Sequence, residues 1–188
     1  MTALVVFVEE PSARIVVETM MRRVLPGQHV IIVEHEGRSD LQTSFPRKIA
    51  AWGHPRGVPF IVNHDNDGND CTALKKKLTA RVPARRRPRT RIRIVMQCLE
   101  SWYLGDAQAL VEAKLIKPPK AREIENSAKF RNPDRIVNAK QEFFRLHDER
   151  GLLAVARLIA PYLDVDRNRS ISFKMFVQAV RTLTSERT

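Results

Sequence analysis

The sequence predicts an α/β domain: a mainly parallel, four-stranded sheet with helices on both faces, followed by a helical extension. Three observations carry that prediction. Short β-branched apolar runs alternate with helical-period segments over residues 1–97. The segments between runs are long enough for crossover connections, which parallel pairing requires. After residue 97 the strand signal stops and helical spacing continues to the end. The division expected is therefore 1–97 as an α/β core and 98–188 as a helical extension packed on it.

The elements follow in order. Residues 3–8, ALVVFV, read as a buried strand. A helix is expected over 13–25, with Ala13, Val16, Val17, Met20 and Val24 on one face, Ser12 as N-cap and Pro26-Gly27 as the stop. HVIIVE, 29–34, is a second strand. A second helix, opened by a Ser39/Gln42 capping box, runs to about residue 52. Residues 53–57 read as a loop and 58–63 as the third strand. Asn69 or Asp70 can cap a third helix that turns Leu74 and Leu78 inward. RVPARRRPRTRIR, 81–93, packs seven arginines into thirteen positions, with Pro83 and Pro88 keeping it extended. RIRIVM, 91–96, is the fourth strand. Helices are expected over 98–114, 134–148, 151–163 and 171–183, with a Pro- and charge-rich loop after the first.

The chain has 188 residues, 33 Lys plus Arg against 21 Asp plus Glu, and a formal net charge of +12. That length buries a core without disulfides or structural metal. Cys71 and Cys98 lack the spacing of a metal or redox pair and suit a reducing compartment, so a cytoplasmic location is expected. No apolar run has signal-peptide or membrane-span character, and no membrane partner is expected. The positive excess attracts polyanions, nucleic acid first among them, DNA ahead of RNA; a merely basic surface is the plainer alternative.

Against that field, FIVNHDNDGNDC places Asp65, Asp67 and Asp70 directly after the third strand, while Glu9 follows the first. Ligands of open parallel sheets bind beyond the carboxyl ends of the strands, so Glu9, Asp65 and Asp67 are expected to converge. Like charges at close range need a cation, and short hard-oxygen ligands suit Mg²⁺ or Mn²⁺. A turn is the competing explanation, because Asp, Asn and Gly accept left-handed backbone. Asp70 and Glu100 are further candidate ligands, with Gln97 one helical turn before Glu100.

VEEPS, HEGRSDL, DNDGNDCTALK, CLESWYLGD and NRSISF together resemble the family called domain of unknown function 4276, which is grouped with Toprim-like proteins. The resemblance runs over residues 4–183. It implies a Toprim-like fold and Mg²⁺-dependent phosphodiester chemistry, with Glu9 matching the Toprim glutamate and Asp65 and Asp67 its metal-binding pair. Glu10 stands where Toprim domains usually have glycine, and Ala13 where nuclease-type members have an acid nearby. The resemblance also implies a phage-defence setting with an ATPase partner.

For phosphate contacts the sequence offers Arg85, Arg86, Arg87, Arg89 and Arg91, then Lys75 and Arg169. For Lys75 the plainer reading is solvated surface. His35 and His64 end strands and read first as polar strand termini. Trp52, Trp102 and Tyr103 read as core or interface. The Asp164–Ser170 stretch imitates an EF-hand opening but has Arg169 at the glycine position and Met175 at the glutamate position, which excludes calcium.

Three functions compete. One is a metal-dependent nuclease with Glu9, Asp65 and Asp67 at its centre. The second is a phosphatase of the haloacid-dehalogenase kind, suggested by strand-then-DxDG, with Asp65 as nucleophile. The third is a non-catalytic nucleic-acid-binding or regulatory subunit of an ATPase complex. The sequence leaves room for a homodimer.

Overall fold

β1 (Thr2–Phe7) is the pivot of the sheet. It pairs in parallel with β2 (His29–Val33) on one side and β3 (Phe60–Asp65) on the other, and β3 pairs in parallel with β4 (Thr90–Val95). The strand order is β2-β1-β3-β4. The computed structural model describes residues 2–53, 57–149 and 151–185. Most of the loop expected over 53–57 lies outside the described residues.

Alternation along the strands sorts the core into two layers. Leu4, Val6, Val8, Ile61 and Val95 face α1 (Pro11–Val24) and the helices that follow β4. Val5, Phe7, Phe60, Val62, Ile92 and Ile94 face α2 (Arg38–Ala51) and α3 (Cys71–Arg81), meeting Leu41, Phe45, Ile49 and Leu78. The sheet is thus covered on both faces, as its continuous apolar strands require.

Past β4 come α4 (Glu100–Leu104), α5 (Ala107–Glu112), α6 (Pro118–Asn126), α7 (Ala139–Phe144), α8 (Leu152–Ile159) and α9 (Ile171–Ser185). α8 packs on α1 and α9 packs on β4. One continuous apolar cluster joins Leu4 and Val6 of β1 to Phe173, Phe176 and Val180 of α9. Among the described residues no helix is long and apolar enough to cross a membrane.

Several local expectations need correction. Ser12 does not cap α1: Glu10 occupies the N-cap position, and the buried Ser12 hydroxyl donates to the Glu10 carboxylate. The Ser39/Gln42 capping box does not form, since α2 starts from Gly37 and Gln42 turns to His64. The helix expected over 98–114 breaks at Gly105-Asp106, because the Asp106 carboxylate caps α5 through the Ala109 amide. The Pro-rich loop after it is instead helical: Pro118 and Pro119 open α6, where their missing N–H groups cost nothing. Residues 84–89 are not extended; Pro83 ends α3 and the arginines wind into a 3-10 turn before β4.

Candidate metal centre at the carboxyl edge of the sheet

All four strands point their carboxyl ends to one edge. Glu9 lies two residues beyond β1, Asp65 is the last residue of β3, and Glu100 opens α4 just after β4. Glu9 Oε1 accepts the Asp65 backbone N–H at 2.8 Å. Chain segments 56 residues apart therefore meet here.

His64 sits beneath them, fully buried. Its Nε2 is 2.8 Å from the Gln42 side-chain nitrogen, which only donates. Nε2 is therefore the acceptor and the proton resides on Nδ1. Nδ1 faces Glu9 Oε1 at 2.9 Å and the Asp65 carbonyl at 2.5 Å. Glu9 Oε1 is thus pinned by an amide and an imidazole, which orients the carboxylate.

Asp65 is the exceptional group. Its carboxylate takes part in no hydrogen bond or ion pair among the described residues, although it is half-buried. Burial first, then the negative charges of Glu9, Glu10, Glu100 and Asp67, hold its carboxyl pKa well above the usual range. The same surroundings act on two neighbours. Burial and then Glu100 push the Cys98 thiol up. Burial, then Glu100, Glu10 and Asp65, push the Tyr103 phenol up, and its buried hydroxyl has no hydrogen-bond partner among the described residues.

The DNDG segment is also a turn, but other residues build it. Asn66, 2% exposed, accepts the Gly68 and Gln97 amides on Oδ1 at 3.3 and 2.6 Å and donates to the Asn69 carbonyl. Asn69 returns a bond to the Asn66 carbonyl. Asp67 and Gly68 take left-handed backbone, φ 48° and 77°. The two readings of this stretch are therefore compatible, because Asn66 and Asn69 fasten the turn while Asp65 stays outside it.

The remaining candidates are placed as follows. Asp67 is exposed and paired with Arg38 at 2.8 Å. Asp70 caps α3 by accepting the Ala73 amide at 2.5 Å. Among the described residues no three His, Cys, Asp or Glu side chains stand at ligand spacing. The expected five-member ligand set is accordingly not gathered into one cage: helix capping holds Asp70 and an ion pair holds Asp67. Asp65 nevertheless lies within electrostatic range of Glu9, Glu10 and Glu100, and their hard carboxylate oxygens are the donor type that Mg²⁺ or Mn²⁺ takes. In the sequence Glu10 stands out only as a departure from the Toprim glycine, and adjacency to Glu9 is the signal that places it near Asp65.

A cleft of about 580 Å³ opens beside His64, lined also by Arg38, Gln42, Asp70 and Lys77. It brings cations close to the carboxylates. The arginine-rich run does not. Arg85, Arg86, Arg87 and Arg89 precede β4, at the amino edge of the sheet, and Arg91 is its second residue. A six-residue strand puts about 17 Å between that edge and Asp65. Several of these arginines have internal work. Arg86 donates to the Trp52 carbonyl at 3.0 Å and lies over the Phe60 ring, Arg87 donates to the Val82 and Ala80 carbonyls, and Arg91 to the Pro88 carbonyl. Arg89 has buried guanidinium nitrogens without partners among the described residues, and Arg85 is exposed. Arg169 donates to the Glu125 carbonyl at 3.0 Å beside Gly105, and Lys75 borders an apolar groove with Ile92, Ile171 and Met175. His35 is buried between the Val8 carbonyl and Lys48, and burial lowers its pKa.

Residues 8–181 match the family described as "Domain of unknown function (DUF4276)", and the chain belongs to it. The fold is shared with the C-terminal region of the OLD protein of Burkholderia pseudomallei, at TM-score 0.59 and 16% identity, covering 98% of this chain and 99% of that one. It is shared also with the C-terminal region of the Xanthomonas campestris pv. campestris OLD protein, at TM-score 0.53 and 15% identity, covering 100% and 99%. These likenesses establish a Toprim-like fold over the full described length. No curated protein matches the chain.

Proposed function

We propose that this chain is a Toprim-like nuclease that hydrolyses phosphodiester bonds in nucleic acid with Mg²⁺ or Mn²⁺. The observation that carries this reading is the uncompensated carboxylate of Asp65, held at a sheet edge among Glu9, Glu10 and Glu100. A fold does not keep such a group without a counter-charge for stability's sake. The divalent ion would be held by Asp65 and the free oxygen of Glu9, with Glu100 and Glu10 close by, and would supply charge neutralisation and water activation at the phosphate. Asp67 would join after releasing Arg38, which then becomes free to meet a phosphate oxygen. Gln42 fixes the His64 tautomer, and His64 fixes Glu9. Arg38 and Lys77 border the neighbouring cleft and would steer the backbone toward Asp65.

An ATPase partner and a role in phage defence belong to the same proposal. The fold recurs as the C-terminal region of the OLD proteins, which is consistent with work alongside another unit. A phosphatase reading with Asp65 as nucleophile has less support, since a phosphoryl group there would add negative charge beside Glu9, Glu10 and Glu100. A non-catalytic subunit remains the second reading, favoured by the engagement of Asp67 and Asp70 elsewhere.

Nicking of supercoiled plasmid with Mg²⁺ or Mn²⁺, compared with Asp65→Asn and Glu9→Gln, separates the two. The nuclease reading expects loss in both variants. Equal turnover in all three proteins, or none in the parent at any metal concentration, leaves the binding subunit.

A further inference from the structure

A second cleft, about 630 Å³, lies in the helical region away from the carboxylates. Val111, Leu115, Ile116 and Leu146 give it an apolar floor, and Lys114, Lys117, Lys120 and Arg145 give it a cationic rim. Asp148 is the one acid among the described lining residues. Lys120 and Arg145 are partly neutralised by Glu123 and Glu142. The ammonium groups of Lys114 and Lys117 make no hydrogen bond or ion pair among the described residues, and both side chains are exposed. This differs from the arginine run before β4, where Arg86, Arg87 and Arg91 are spent on backbone carbonyls.

We propose that the cleft lined by Lys114, Lys117 and Leu115 binds single-stranded nucleic acid, with the lysines on the phosphates and a base over the apolar floor. The inference rests on nucleic acid being the substrate class proposed above, but concerns a different surface. The apolar floor selects the strand form. An unpaired base can turn its face onto Leu115 and Leu146, whereas a duplex keeps its base faces inside the stack and offers only its phosphates. The floor is aliphatic, so it holds a base by apolar contact while the rim lysines take the phosphates, and a flat basic face would suffice for a duplex. An acidic peptide shares only the charge.

Fluorescence anisotropy with a short oligothymidylate and a duplex of equal length tests this, using the full chain in EDTA so that no cleavage is required. Two phosphate contacts on a single strand account for a salt slope of about 1.4, hence about 25-fold in affinity at ~0.1 M salt relative to 1 M. Lys114→Ser with Lys117→Ser is expected to weaken oligothymidylate about 25-fold and lower the slope by about 1.4. Duplex affinity should change less than about twofold, and Lys114→Arg with Lys117→Arg should keep the single-strand affinity. Unchanged oligothymidylate binding, an equal loss for the duplex, or full competition by oligoglutamate of equal charge would each overturn the proposal. Because the assay runs without metal, a chain that binds here and cuts nothing loses only the nuclease reading, and one that cuts with unaltered binding in the serine variant loses only this one.

Discussion

Glu9 Oε1 and the backbone N–H of Asp65 are joined across 2.8 Å, closing β1 onto the end of β3. That bond aims the Glu9 carboxylate at the very residue whose charge most needs relief. Glu9→Gln keeps the acceptor but removes the charge, whereas Glu9→Ala removes both. Glu9→Ala should therefore cost about 1–3 kcal/mol of stability, leaving the Asp65 amide without its acceptor and His64 Nδ1 with the Asp65 carbonyl alone. Glu9→Gln should cost less and still abolish metal-dependent turnover. Urea unfolding of the two variants distinguishes the structural from the chemical share.

Asp65 gives a pH dependence of definite sign. Its folded-state pKa is raised, so the native chain binds more protons than the unfolded chain between the ordinary carboxylate value and the raised one. This group's contribution to stability therefore falls as pH rises through that window, in the absence of metal. Asp65→Asn should be more stable than the parent at neutral pH in EDTA and lose that part of the pH dependence. Mg²⁺ at about 100 times its Kd should stabilise the parent by about 2.7 kcal/mol and leave Asp65→Asn unmoved. Thermal melts over a pH series, with and without Mg²⁺, read both effects. A neutral-pH melt of Asp65→Asn below the parent's would contradict the electrostatic account.

Asn66 makes a separate prediction. It is buried and its Oδ1 serves two backbone amides, at Gly68 and Gln97. Asn66→Ala strands both donors and should cost about 2–3 kcal/mol. Asn66→Asp keeps the acceptor but adds a charge beside Asp65. It should lower stability further at neutral pH than in acid, as equilibrium unfolding at two pH values would show.

The sheet was legible because its strands are continuous β-branched runs, and parallel pairing then forced Glu9 and Asp65 to one edge. What escaped was set by long-range partners. Gln42 reads as a capping residue until His64, 22 positions away, is known to bind it. Asn66 reads as one polar residue in an acidic loop, and only the approach of Gln97 makes it the fastener. The arginines around residue 87 read as a phosphate clamp, yet the strand that follows carries them to the far edge from the carboxylates. Charge patterning in a sequence gives the sign of a surface, and the topology decides which surface.

A last prediction concerns the buried network behind Trp102. The Asp134 carboxylate, 5% exposed, accepts the Ser170 hydroxyl at 2.6 Å, the Ser172 amide at 2.8 Å and the Ser172 hydroxyl at 3.1 Å. Ser172 Oγ lies 3.0 Å from Trp102 Nε1, which donates to it, and Asn168 donates to the Trp102 carbonyl at 2.8 Å. These contacts tie α4, which starts at Glu100, to the first turn of α9. Asp134→Ala would leave the Ser172 amide and one of the two serine hydroxyls unmatched, the other hydroxyl donating across the 3.0 Å between Ser170 and Ser172, and should cost about 2–5 kcal/mol, against about 1 kcal/mol for Ser170→Ala. Because Glu100 belongs to the anchored helix, a milder lesion such as Ser172→Ala should lower Mg²⁺-dependent cleavage more than its stability loss explains. Comparing turnover with the folded fraction at one temperature tests this, and activity that merely tracks the folded fraction would confine the network to a structural role.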